Sequence, residues 1–210
     1  MTIQQAASCG IVPVVVLDDA AQALHTAKAL KDGGIDVMEI TFRTAAAKAS
    51  IAQVASRMPE MIVGAGTVIN ERQLGEAAEA GAKFIVSPGS SVSLIKAAQE
   101  KNLPIVPGVV SPSEIMIGLE LGLTVFKFFP AETYGGLKAI KALSGPFPQI
   151  KFIPTGGINQ SNAGDYFKNP KILAVGGSWM VSADMIREGR FDEIARKARE
   201  ATDLFSSVRG

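Results

Sequence analysis

The chain has 210 residues, is 47% hydrophobic and 20% charged, and carries 21 Gly and 11 Pro, a composition that excludes disorder and repetitive fibrous folds. Its formal charge of +1 supplies no long-range field for a polyanion or an anionic bilayer. An anionic ligand therefore has to be held by local geometry. One Cys and one His, Cys9 and His25, exclude an internal disulfide and a His/Cys zinc centre; a carboxylate-held Mg²⁺ stays open on this count. The first apolar run, 11–17, follows no Lys or Arg, and no stretch approaches the roughly 18 apolar residues of a membrane span. A cytoplasmic protein with no membrane or nucleic-acid partner is expected.

Taken in chain order, short apolar runs fall at 11–17, 36–41, 61–66, 83–88, 104–109, 124–129, 151–156 and 172–177, each followed by a helical-looking stretch. The spacing of roughly 20 to 27 residues admits one strand, one helix and two tight turns. Ser111-Pro112-Ser113-Glu114 reads as a capped helix start, with Asn70 and Gln73 as a second. Gly34, Gly81 and Gly122 each stand, with one apolar residue after them, directly before a run, where a left-handed helix end is suited to glycine. Continuous apolar strands covered by helices predict a parallel sheet. Eight equal units without a composition break predict one (β/α)8 TIM barrel spanning 1–210, with a short segment before the first strand. An open doubly wound sheet is disfavoured, because Asp18-Asp19 follows the first run where a Gly-rich turn is the rule.

Barrels carry chemistry at the carboxyl ends of their strands, so polar residues within apolar runs are the candidates. Alternation puts Glu39, Thr41 and Arg43 on one side of the second run and Lys127 with Phe129 on one side of the sixth. Flanked by Phe126 and Phe128, Lys127 reads as a desolvated amine able to attack a ketone. A buried lysine merely paired with Glu39 explains the same pattern, and Arg43 as a surface residue starting a helix explains its own. The pairs Gly156-Gly157 and Gly176-Gly177, behind Thr155 and before Ser178, stand where barrels commonly seat phosphate on backbone N–H groups. Tight turns needing positive φ account for one such pair more readily than for both. His25, Cys9 and Trp179 are assigned to packing or surface.

Taken together, the segments Glu39-Ile40-Thr41-Phe42-Arg43-Thr44, Val63-Gly64-Ala65-Gly66-Thr67-Val68, Phe84-Ile85-Val86-Ser87-Pro88-Gly89, Phe126-Lys127-Phe128-Phe129-Pro130-Ala131-Glu132, Pro154-Thr155-Gly156-Gly157-Ile158 and Gly176-Gly177-Ser178-Trp179 resemble the bifunctional aldolases of 2-keto-3-deoxy-6-phosphogluconate and 4-hydroxy-2-oxoglutarate. Phe42 departs from a more usual Leu. The resemblance implies a class I lyase without metal or other cofactor, with Lys127 as Schiff-base nucleophile and Glu39 as general base. It further implies that Arg43 and Thr67 hold the pyruvate carboxylate, that Pro88 and Phe129 wall the site, and that Thr155, Gly156, Gly157, Gly177 and Ser178 seat the 6-phosphate. A homotrimer in the cytoplasm is implied as well. An aldolase for the galactose-derived epimer, and a phosphate-binding isomerase or epimerase working without a covalent adduct, stay as alternatives.

Overall fold

The computed structural model describes residues 3–209; Met1, Thr2 and Gly210, at the ends of the expected domain, lie outside them. Helix α1 (Ile3–Ala6) precedes β1 (Ile11–Val15), α2 (Ala23–Asp32), β2 (Val37–Thr41), α3 (Ala47–Arg57), β3 (Ile62–Gly66) and α4 (Glu71–Glu79). Next come β4 (Ile85–Val86), α5 (Val92–Glu100), β5 (Ile105–Val106), β6 (Gly108–Val109), α6 (Pro112–Glu120) and β7 (Val125–Phe128). The chain continues through α7 (Gly136–Ser144), β8 (Lys151–Pro154), α8 (Ala163–Phe167), β9 (Val175–Gly177), α9 (Ala183–Arg187) and α10 (Phe191–Arg209). Every expected apolar run contributes a strand, and every strand pairing is parallel.

The strands form a six-stranded sheet, β5-β4-β3-β2-β1-β9, and a three-stranded one, β6-β7-β8. One seam between them has a plain cause. Pro107 stands between β5 and β6 and has no N–H to donate, so the fifth apolar run breaks there. Its carbonyl still accepts the Lys127 N–H at 2.9 Å. At the other seam, single parallel bridges join Phe152 to Ile172 and Thr155 to Gly176. The eighth run is therefore shared, its start bridging β8 and its end pairing with β1. The result is an α/β architecture with a curled parallel sheet.

Helices cover the sheet, whose strands are buried on both faces: β1, β2 and β7 are buried at every residue. Packing of α10 against α2, α8 and α9 sets the last helix against the first unit. The Arg209 guanidinium donates to the Phe167, Asn169 and Ile172 carbonyls at 2.7, 2.9 and 2.6 Å, tying its far end down. The segment before β1, expected only as a short lead, is a helix with Ala6 and Ala7 buried beneath the strands.

Helix ends follow the sequence signals. Gly34, Gly81 and Gly122 have φ of 89°, 91° and 77°, and Asn102, with φ of 54°, serves the same purpose after α5. Ser111 and Glu114 form a full capping box, the Glu114 carboxylate also accepting the Val110 N–H at 2.8 Å. Ser111→Ala should therefore lower unfolding free energy by about 1 kcal/mol, read as a reduced urea midpoint with unchanged slope. An unshifted midpoint would show that the cap contributes nothing.

Candidate functional site

The site begins with two charged residues that the strand pleat turns inward. Glu39 is in register with Val14 and Gly64, and Lys127 with Gly108 and Ile153. Both are 3% exposed, and Lys127 Nζ stands 3.8 Å from Glu39 Oε1. That separation is Coulombic contact beyond hydrogen-bond range. Indeed Oε1 is buried with no hydrogen-bond partner among the described residues. The amine thus has its counter-charge nearby without being locked to it, and the Phe129 ring lies 4.8 Å away as a π-face for the cation.

Glycines make this placement possible. A Cβ on Gly66 would stand 2.0 Å from Glu39 Oε1, so the carboxylate rests directly on that residue's bare backbone. On Gly64 a Cβ would meet the Phe84 ring at 2.3 Å, and on Gly108 the Pro88 carbonyl oxygen at 2.1 Å. Pro88, half-buried after β4, therefore leans against β6. Below the charged pair, Ile3, Ala6 and Ala7 close a hollow that Glu39, Lys127 and Thr155 also line. Its roughly 10 Å³ of open space is room for about one water molecule.

The remaining candidates lie at the same ends of the strands. Arg43 is exposed in the turn after β2, and its Nε donates to Thr67 Oγ1 at 3.4 Å. Thr67 itself adopts φ of 56°, a strained choice for a β-branched residue. Phe42 is half-buried on the other side of the chain from Arg43 and lines a surface cleft with Thr44 and Lys48. Thr155 is buried directly after β8, and its bridge to Gly176 sets the two glycine pairs side by side; the second pair is the end of strand β9, registered on Val12 and Pro13, and not a turn.

The two pairs use glycine for different reasons. Gly156 and Gly157 have φ of 99° and 81°, which L side chains rarely adopt. Gly176 and Gly177 lie outside that region and are needed for space: a Cβ would stand 2.1 Å from Thr155 Oγ1 at one and 2.1 Å from the Trp179 ring at the other. Trp179 is thus packed onto the end of β9 and donates its Nε1–H to Gln160 at 3.1 Å. Ser178, directly after β9, is exposed. Of the residues assigned to packing, His25 is exposed and stacks on Phe191 at 5.3 Å. The Cys9 thiol donates to the Ile11 carbonyl at 3.1 Å, and burial pushes its pKa up to about 11.

Reading the sequence missed Gly66 as the bed of Glu39 and the contact between Glu132 and Tyr166. The available signal for Gly66 was its place two residues beyond Gly64, facing the same side of β3.

The buried pair makes a stability prediction independent of any substrate. Lys127→Met should cost about 3 kcal/mol, because it leaves the Glu39 carboxylate buried without a counter-charge, and adding Glu39→Gln should restore at least about half. Urea unfolding of the single and double variants checks this. Equal losses in both would mean that the two charges do not interact.

A family model described as "Aldolase: KDPG and KHG aldolase" matches residues 3–197. The KHG/KDPG aldolase of Escherichia coli K12 is 49% identical over 193 residues, which cover 92% of this chain and 91% of that protein. Among solved structures, the 2-keto-3-deoxy-6-phosphogluconate aldolase of Zymomonas mobilis superposes with a TM-score of 0.90 at 42% identity, covering 97% of this chain and 98% of that one. The KDPG aldolase of Legionella pneumophila, with pyruvate captured at low pH as a covalent carbinolamine, gives 0.88 at 41% identity, covering 97% and 95%. With its matching segments running in order from the amino-terminal helix into the last one, the chain belongs to the KDPG and KHG aldolase family.

Proposed function

We propose that the protein is a class I aldolase that cleaves 2-keto-3-deoxy-6-phosphogluconate to pyruvate and glyceraldehyde 3-phosphate, and 4-hydroxy-2-oxoglutarate to pyruvate and glyoxylate. The observation that carries this reading is the buried Lys127 amine, 3.8 Å from a carboxylate and not hydrogen-bonded to it. An isomerase or epimerase would use Lys127 and Glu39 as proton carriers without a covalent adduct, so borohydride trapping with pyruvate separates the two readings. The carbinolamine trapped in the Legionella relative is an adduct of the kind that Lys127 would form.

In the proposed reaction Lys127 adds to the C2 ketone, and loss of water gives an iminium. Glu39 takes the C4-hydroxyl proton, directly or through a water. The C3–C4 bond then breaks, its electron pair passing into the iminium to form an enamine as the aldehyde leaves. The protonated Glu39 returns its proton to C3, and hydrolysis frees pyruvate and the amine. Arg43, held by Thr67, grips the pyruvate carboxylate, while Phe129 and Pro88 wall the site. Thr155, Gly156, Gly157, Gly177 and Ser178 seat the phosphate, a role supported by the bridge that sets the Gly156-Gly157 turn beside the end of β9.

Three further parts belong to this proposal. Residues 1–210 act as one domain whose sheet closes as a (β/α)8 barrel, supported by the bridges from β8 to the eighth run and by the Pro107 carbonyl bond across the other seam. The chain assembles as a homotrimer, supported by Ile69, Val92 and Met116, which are 60%, 44% and 53% exposed on successive units; light scattering of the purified chain tests it. Residence is in the cytoplasm, which cell fractionation tests.

Lys127→Arg should abolish both cleavage and borohydride-dependent labelling by pyruvate, since a guanidinium keeps the charge but forms no iminium. Wild-type activity should survive exhaustive chelation. Peptide mass analysis should find the label on Lys127; label on the exposed Lys83 or Lys151 would move the nucleophile elsewhere.

Glu39→Gln should lower kcat for both substrates by a similar factor, on the order of 100-fold or more, because the proton transfer is common to both. Ser178→Ala should raise KM for the phosphorylated substrate alone. Steady-state kinetics on the two substrates would sink the division of labour if either variant showed the opposite pattern.

A further inference from the structure

The loop after β7 lies against the Gly156-Gly157 turn. The Ala131 N–H donates to the Thr155 carbonyl at 2.8 Å and the Glu132 N–H to the Gly156 carbonyl at 3.1 Å. The Glu132 side chain then runs across the turn: a Cβ on Gly157 would stand 2.6 Å from both its Cβ and its Cγ. Glu132 is exposed, yet its carboxylate is not left to water, for Oε1 accepts the Tyr166 hydroxyl. Tyr166 is 2% exposed on α8. Burial first, and the carboxylate second, hold its hydroxyl protonated far above the usual phenol range, so it is a donor at every working pH. Room for the contact comes from Gly136, where a Cβ would stand 2.8 Å from the Tyr166 hydroxyl and 2.9 Å from Glu132 Oε1. On its other side the same turn is held by Asn162 and Asn159, whose amides donate to the Gly157 carbonyl at 3.1 and 3.3 Å.

A carboxylate beside a turn of backbone N–H groups is an awkward neighbour for an anion. Coulomb repulsion between like charges at a partly exposed site changes binding severalfold over a few ångströms. We infer that Tyr166 is a positioning residue for the phosphate end of the site: by holding the Glu132 carboxylate toward α8, it keeps that negative charge off the anion seat formed by the Gly156-Gly157 turn. The ligand concerned is the phosphate monoester of the substrate, so the inference rests on the function proposed above. Glu132 and Tyr166 touch no reacting atom, and the chemistry at Lys127 and Glu39 proceeds without them.

The test is kinetic, on the full-length chain, with the phosphorylated and unphosphorylated substrates side by side. Tyr166→Phe removes the donor and releases the charge. KM for 2-keto-3-deoxy-6-phosphogluconate should rise about five- to tenfold, with kcat kept, while both constants for 4-hydroxy-2-oxoglutarate stay at wild-type values. Glu132→Asp, at an exposed position that is safe for folding, withdraws the carboxylate from the buried hydroxyl and should give the same selective rise. Glu132→Gln keeps an acceptor, loses the charge and should leave KM near wild type. The decisive variant is the double substitution Tyr166→Phe with Glu132→Gln, which should restore KM. A purely structural pin would leave it as impaired as Tyr166→Phe alone, and that result overturns the inference, as does an equal effect on both substrates or no effect at all. If the wild-type chain cleaves 4-hydroxy-2-oxoglutarate with borohydride-trappable Lys127 but shows no preference for the phosphorylated substrate, the phosphate seat itself is misassigned and this inference falls with it. Normal wild-type kinetics with an unselective Tyr166→Phe defeats the inference alone.

Discussion

Two opposite charges held out of water, near each other but not joined, are what the surrounding architecture serves. Taking an ammonium and a carboxylate out of water is costly, and their attraction offsets the loss only in part. The fold does not complete the offset with a hydrogen bond, since Glu39 Oε1 has no partner among the described residues. A shorter, bonded pair would be steadier and chemically idle. Instead the carboxylate lies on the bare backbone of Gly66, the amine faces the Phe129 ring, and α1 closes the space beneath. Stability is thus withheld at the one place where an unoccupied amine is useful.

Around this pair the rim residues divide by strand. Arg43 and Thr67 share a bond after β2, the strand of Glu39, and β3 beside it, whereas Gly156-Gly157 follow β8, which pairs with the strand of Lys127, and Gly176-Gly177 end β9. A substrate with a carboxylate at one end and a phosphate at the other would span that interval, with its ketone between. The proposed function accordingly assigns orientation to two anion-binding ends of different chemistry, a guanidinium fork and a backbone cradle.

Much of this was legible in the chain because parallel strands buried on both faces leave a charged residue nowhere to hide. Glu39 and Lys127 interrupt apolar runs, and the pleat alone predicts that each shares a side with its rim neighbours. Helix ends were as readable where glycine marked them, less so at Asn102, whose side chain merely tolerates the same backbone. What escaped was non-local. That Gly66 is a seat for a carboxylate depends on a neighbouring strand; that Gly177 is an answer to Trp179 depends on a ring folding back. The split of the fifth run at Pro107 was written in the chain, since a missing N–H has to interrupt a ladder, but which sheets would part there depended on the pairing of both neighbours.

The pairing of β1 with β9 joins Ile11 to Val175, and a Cβ on Gly10 would stand 2.2 Å from the Phe205 ring of the last helix. The beginning of the chain therefore completes its packing only against its end. During synthesis β1 is an unpaired edge on one side until nearly the whole polypeptide has emerged, exposed to strands of other nascent chains. Such long-range closure entropy slows folding, and the ribosome-bound intermediate carries an unpaired strand edge that the finished protein, with β1 paired on both sides, does not.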